Sequence, residues 1–159
     1  MTSIASPDSS MLAIGADTGD TIVYDTSNWS AVATARSKSA VRHLAFDPSN
    51  RDLAIVSEDG NVHILPLRAS RTLPWRDLLI GAQNVAYAPD GERLAIISDD
   101  GSTWFYDVRH DLWAYTRDHS PDVIVGAFSS DGKQFASAGQ KGLVVLRDTE
   151  ATFTKAVNP

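Results

Sequence analysis

Acidic residues recur at one kind of place in this 159-residue chain: Asp17, the pair Glu58-Asp59 and the pair Asp99-Asp100, each within two residues of a glycine. General acid–base chemistry needs such carboxylates to converge in a cleft with their pKa values pushed apart. Acidic side chains also favour tight turns, because their oxygens accept hydrogen bonds from nearby backbone N–H groups. We read these five as turn residues. The four histidines, His43, His63, His110 and His119, show no ligand spacing, so no metal centre is expected. The chain has no cysteine, which removes disulfides, thiolate ligands and a thiol nucleophile and leaves the redox compartment unread. No serine sits in a G-x-S-x-G elbow. The glycines are spread along the turns and build no phosphate-binding loop. The sequence therefore leads us to expect no catalytic residue, no cofactor and no metal.

Composition narrows the class further. With 43% hydrophobic and 21% charged residues the chain has the make-up of a globular protein. Its net charge of -6 argues against nucleic acid or an anionic membrane as the main partner, since phosphate binding needs a basic face. No apolar run approaches the ~20 residues of a membrane span. The start, MTSIASPDSS, lacks a basic segment followed by an apolar one, so a cytoplasmic protein is expected.

What positions the acidic turns is a repeat. Leu12, Leu53, Leu94 and Phe135 are each 41 residues apart, and so are Gly19, Gly60, Gly101 and Gly142. Pro7, Pro48, Pro89 and Ser130 form a third series, and Asp25, Pro66, Asp107 and Asp148 a fourth. Four copies therefore run through the chain without insertion, at approximately 1-35, 36-76, 77-117 and 118-159. In copy two, Val41 to Asp47 reads as a first strand, Leu53 to Ser57 as a continuous apolar second strand and Asn61 to Leu65 as a third. The turn ending in Gly60 suits positive φ, which glycine adopts without steric cost. A weaker fourth strand is expected near Ala31 to Ala35, Thr72 to Trp75, Leu112 to Tyr115 and Thr152 to Ala156, with no helix anywhere. Four strands in ~40 residues is the unit of a β-propeller blade. The fold class is thus all-β, as four antiparallel four-stranded meanders in a single propeller segment over 1-159.

The stretches VRHLAFDPSNRDLAIVSEDG, NVAYAPDGERLAIISDDG and GAFSSDGKQFASAGQKG resemble the WD-repeat family over nearly the whole chain. The resemblance implies a propeller of about seven or eight blades that acts as an interaction scaffold. The ends of the motif depart from the family. The closing dipeptide is Tyr24-Asp25, Leu65-Pro66, Tyr106-Asp107 and Arg147-Asp148, never Trp-Asp. Of the Gly-His pair only His119 survives, and its implied role is to brace a loop. The matching turn position is Lys141, which breaks the family's hydrogen-bond network. TolB-like and peptidase-associated propellers also use a Pro-Asp-Gly turn followed by Leu-Ala, and they remain an alternative.

Copy one is short at its start: its first strand is limited to about Thr2 to Ser6, with Ala5 where copy two has Phe46. The first and last copies are expected to present open apolar faces. Three outcomes stay open: a segment of a longer propeller, a homodimer joining two chains into eight blades, and a small ring or open array.

The residues that remain for recognition are basic and aromatic. Arg36, Lys38, Arg42, Arg76 and Arg117 gather at or near the loops joining one copy's fourth strand to the next copy's first. Those loops and the acidic second turns are expected on one propeller face. Trp29, Trp75 and Trp113 fall on or beside fourth strands, and Trp104 falls on a third strand between blades. Arg and Trp are enriched at interface hot spots. The candidate partner-binding residues are Arg36, Arg42, Trp75, Arg76, Arg117 and His119, for a protein or peptide partner. A plain solvated surface is the competing reading. At the level of function, an interaction scaffold and a regulatory or sensor domain of a larger enzyme or signalling protein both remain open.

Overall fold

A computed structural model describes residues 1–68, 81–108, 110, 112–117, 123–139 and 142–154. Fourteen strands and one short helix follow each other in these residues. Copy one supplies β1 (Thr2–Ala5), β2 (Met11–Gly15), β3 (Asp20–Asp25) and β4 (Ala31–Arg36). Copy two supplies β5 (Val41–Phe46), β6 (Asp52–Ser57) and β7 (Val62–Pro66). β8 (Ala82–Tyr87), β9 (Arg93–Ser98), β10 (Ser102–Asp107) and β11 (Leu112–Arg117) make the third set. β12 (Val123–Phe128), β13 (Gln134–Gly139), β14 (Val144–Asp148) and α1 (Thr149–Thr154) make the fourth. Each set is a separate sheet in sequence order, antiparallel wherever its register is resolved. The expected fourth strand at Thr72 to Trp75 lies outside the described residues.

The repeat acts through its turns. Gly19, Gly60, Gly101 and Gly142 all have positive φ, and each donates its N–H to the carbonyl three residues earlier. The first turn repeats as well: Ser9, Asn50, Gly91 and Gly132 have φ between 57° and 69°. A third element holds the sheets closed. The N–H groups of Thr26, Leu67, Val108 and Thr149 bond to the carbonyls of Ser10, Arg51, Glu92 and Lys133, again one repeat apart. Backbone geometry is thus copied even where side chains diverge.

One expectation fails in copy four. Residues 152–154 belong to α1 and not to a fourth strand, and a helix was not foreseen. Asp148 explains it. Its carboxylate accepts the Ala151 N–H at 2.9 Å and its carbonyl accepts the Thr152 hydroxyl at 2.8 Å, which caps a helical turn. Glu150 in the first turn suits the positive end of that turn. In copy one the equivalent Asp25 caps a turn that Trp29, at φ 59°, bends back into β4. The matching residue of copy four, Thr152, lies within α1.

The chain divides into two compact units, Met1–Ala82 and Gln83–Pro159. In the first, the β1–β4 sheet packs through Ala13 and Val23 on Leu44, Phe46, Leu53 and Ile55 of the β5–β7 sheet. In the second, Ala95, Ile97, Phe105 and Ala114 pack on Phe135 of the β12–β14 sheet. Strand pairing sets the two faces of each sheet. Residues paired across strands point the same way, so Ala13 and Val23 share a face while Leu12 and Tyr24 share the other.

Candidate functional site

The loop after a fourth strand meets the acidic second turn, and backbone contacts fix the meeting. In unit one, Ser37 N–H bonds to Gly19 O at 2.9 Å and Val41 N–H to Ala16 O at 3.0 Å. Glu58 N–H bonds to Ala40 O at 2.8 Å, and Asp59 N–H to the Ser39 hydroxyl at 3.0 Å. A Cβ on Gly19 would collide with Ser37 O, so only glycine lets the loop come this close.

Each described candidate arginine has a carboxylate at or beside such a turn. Arg36 lies opposite Asp20 across β3 and β4, with 3.5 Å between charged atoms. Arg42 is the extra residue of a β-bulge, because Val41 pairs Ser57 and His43 pairs Val56. The bulge aims its side chain outward, where it pairs with Glu58. In unit two, Arg117 lies opposite Ser102 and stands 3.8 Å from Asp100. All three arginines are well exposed, at 76%, 59% and 65%. Trp75, Arg76 and His119 lie outside the described residues.

The carboxylates serve their turns. The Ser102 hydroxyl, and then its backbone N–H at 2.9 Å, hold the Asp100 carboxyl below its usual range. Burial works to raise Asp59, but the Asn61 side chain and N–H and the Ser39 hydroxyl outweigh it and hold that carboxyl low. Asp100 stays ionised beside Arg117. Among the described residues no group of three or more His, Asp or Glu side chains could hold a metal.

Two hollows adjoin these arginines. In unit one a cleft of about 490 Å³ is lined by Thr2, Asp17, Ala40, Val41, Arg42 and Glu58, with Met1 at its rim. In unit two a groove of about 610 Å³ runs along the outer edge, past Trp113, Tyr115, Arg117, Arg147, Asp148 and Thr152. Tyr115 is 63% exposed and stacks on Trp104 at 4.9 Å. Trp113 stacks on Tyr106 at 4.4 Å, and Trp29 is 63% exposed on its turn. Sequence reasoning missed Asp20 as an arginine partner. Its signal was the opposite charge of Asp20 and Arg36 at matching ends of a hairpin.

Comparison with known proteins agrees with the fold. Residues 4–78 match the family model described as the Anaphase-promoting complex subunit 4 WD40 domain. No curated protein matches the sequence. Among solved structures, the Myceliophteria thermophila Cps50 (Swd1) beta-propeller domain superimposes with a TM-score of 0.79 at 12% identity, over 94% of this chain. That match covers 52% of the solved domain, so the chain spans about half its length. No described helix is long and apolar enough to cross a membrane.

Proposed function

We propose that this chain, whose residues 4–78 match a WD40 family model and whose fold is that of a β-propeller, is a non-catalytic cytoplasmic scaffold presenting a loop face to a protein or peptide partner. The four repeats, 1-35, 36-76, 77-117 and 118-159, act in this reading as one propeller segment. The carrying observation is the pairing of Arg36, Arg42 and Arg117 with carboxylates at or beside the second turns. Exposed ion pairs contribute ~0–1 kcal/mol each, so a partner's charges can replace one member at little cost. Interleaved charges of both signs, with tryptophan nearby, favour orientation and selectivity of a docked chain.

The docking residues in this proposal are Arg36, Arg42, Trp75, Arg76, Arg117 and His119. Affinity capture with the triple variant Arg42→Ala, Trp75→Ala, Arg117→Ala tests it. Loss of the captured partner, with the strand circular-dichroism signal unchanged, is expected. Undiminished capture would remove the loop face from consideration. Either a second copy or further blades of a longer chain could extend the segment without altering this face.

A further inference from the structure

Two repeat positions differ sharply between copies. Thr21 and Val23 in β3 are fully buried, Val62 in β7 is 1% exposed with Ile64 half-buried, and Thr103 and Phe105 in β10 are 3% and 0% exposed. The matching residues in β14 are Val144 and Leu146, which are 64% and 62% exposed. They belong to a complete apolar face. Val125 pairs with Ala138 and Ala138 with Val144, while Ala127 pairs with Ala136 and Ala136 with Leu146, giving two apolar rows across the sheet. In copy one the same positions hold Ala13 and Val23, and they pack on the next sheet through Leu44, Phe46, Leu53 and Ile55.

The chain also carries the kind of surface that covers such a face. The opposite side of copy one holds Leu12, Ile14, Ile22 and Tyr24, joined by cross-strand pairing. All four are half-buried, whereas Leu53 and Ile55 at the matching positions of copy two are fully buried. Both halves of one repeated interface are thus open, each on a different unit.

We propose that two copies of this chain associate head to tail, the Val125–Val144–Leu146 face of one packing on the Leu12–Ile14–Ile22 face of the other. The proposal rests on the propeller reading above. A head-to-tail contact either closes into a ring or runs on into a filament. Length selects the pair, because the chain spans about half of a solved propeller domain and two copies supply the whole.

Light scattering after size exclusion reads the mass of the full 159-residue chain directly. Two chains per particle is the expected result. Leu146→Glu, on an exposed side chain, shifts the particle to one chain without loss of strand signal, and Ile22→Lys does the same. Mixing the two variants restores the pair, since one contact is then unaltered and the other sets Glu against Lys. A face-to-itself contact behaves otherwise, because one of the two variants would still pair alone. If Ile22→Lys does not fold, Ser3→Lys replaces it, on the same face and exposed. A wild-type chain that stays single at micromolar concentration overturns the proposal and leaves both faces to further blades. A mass rising past two chains, or indifference to both variants, overturns it as well. Arg42→Ala and Arg117→Ala leave the mass unchanged, so failure of the docking face and failure of the pair are told apart.

Discussion

The sheet–sheet core of unit one and that of unit two occupy the same repeat positions and are filled in opposite ways. In unit one the contact is largely aliphatic, with Val23 against Leu44, Phe46 and Leu53. In unit two the matching positions hold Phe105, Gly126, Phe128 and Phe135. Phe105 and Phe135 meet edge to face at 5.2 Å and 87°, and Phe128 and Phe135 at 4.9 Å and 65°. Two rings have grown where Val23 and Leu53 stood, and Gly126 has given up the volume of Leu44. A Cβ on Gly126 would collide with the Phe135 ring and lie 2.9 Å from the Ile97 side chain. Size is therefore traded across the interface so that the space stays filled at the density of a protein interior. The repeat dictates where a side chain points, and its neighbours dictate how large it is.

Truncation tests that trade most severely. Phe135→Ala removes a fully buried ring and two edge-to-face contacts, and should cost about 3–5 kcal/mol in urea unfolding. Leu53→Ala, its counterpart, should cost about 2–5 kcal/mol. The compensation itself is tested by Gly126→Leu, expected to cost about 1–3 kcal/mol by overpacking. Combined with Phe135→Leu, which rebuilds the unit-one arrangement, the double variant should be more stable than the sum of the two single effects. Simple additivity would mean that the two positions do not share one volume.

The second turns offer a gentler contrast. Gly19 and Gly142 have φ of 88° and 76°. Alanine at Gly142 meets nothing within 4 Å, so only the backbone penalty of ~1 kcal/mol applies. At Gly19 the same change also presses on Ser37 O and Ser39 O, and should lower stability further. Equal effects at the two glycines would show that the loop of copy one yields freely.

Much of this was open to reading from the chain alone. The spacing of Leu12, Leu53, Leu94 and Phe135 placed every second strand, and Gly19, Gly60, Gly101 and Gly142 placed every second turn with the correct sign of φ. The fourth strands at Ala31 and Leu112 were also foreseen. The helix at Thr149–Thr154 was not, because Thr-Phe-Thr favours a strand locally and the same cap, Asp107 on the His110 N–H, leads into a strand in copy three. Open apolar faces on the first and last copies were expected from the repeat, and the exposed Val144 and Leu146 lie in the last copy, but their individual exposure is not set by periodicity. Pattern assigns a residue to a face, but burial depends on what lies beyond that face. Likewise Arg42 was placed near a loop, yet its outward aim comes from a bulge that a pairing register alone reveals.

Acid sensitivity separates copy two from its neighbours. His43 stands where copy three has Asn84 and copy four has Val125. Its Nδ1 is buried without a hydrogen-bond partner among the described residues, and burial holds the ring below its ordinary pKa of 6.5. The unfolded chain then binds the proton more readily than the folded one. Stability is therefore full above pH ~6.5 and falls as pH drops through the lower folded value. His43→Val, copying the residue of copy four, should flatten that part of the profile in thermal unfolding between pH 8 and pH 5. An unchanged slope would assign the sensitivity to other groups.

The smallest expected effect concerns the charged pairs. Arg42–Glu58 in copy two is a close contact, and Arg117–Asp100 in copy three spans 3.8 Å. If close approach meant strong stabilisation, Arg42→Ala would cost clearly more than Arg117→Ala. Both pairs stand in water, with every member about half exposed or more, so solvent screening and side-chain entropy absorb most of the attraction. Each substitution should then change unfolding free energy by less than ~1 kcal/mol, and raising salt should shrink even that difference. A loss well above that figure at Arg42 would mean that its pair braces the loop against the turn, and the arginine would then belong to the fold and not to a docking surface.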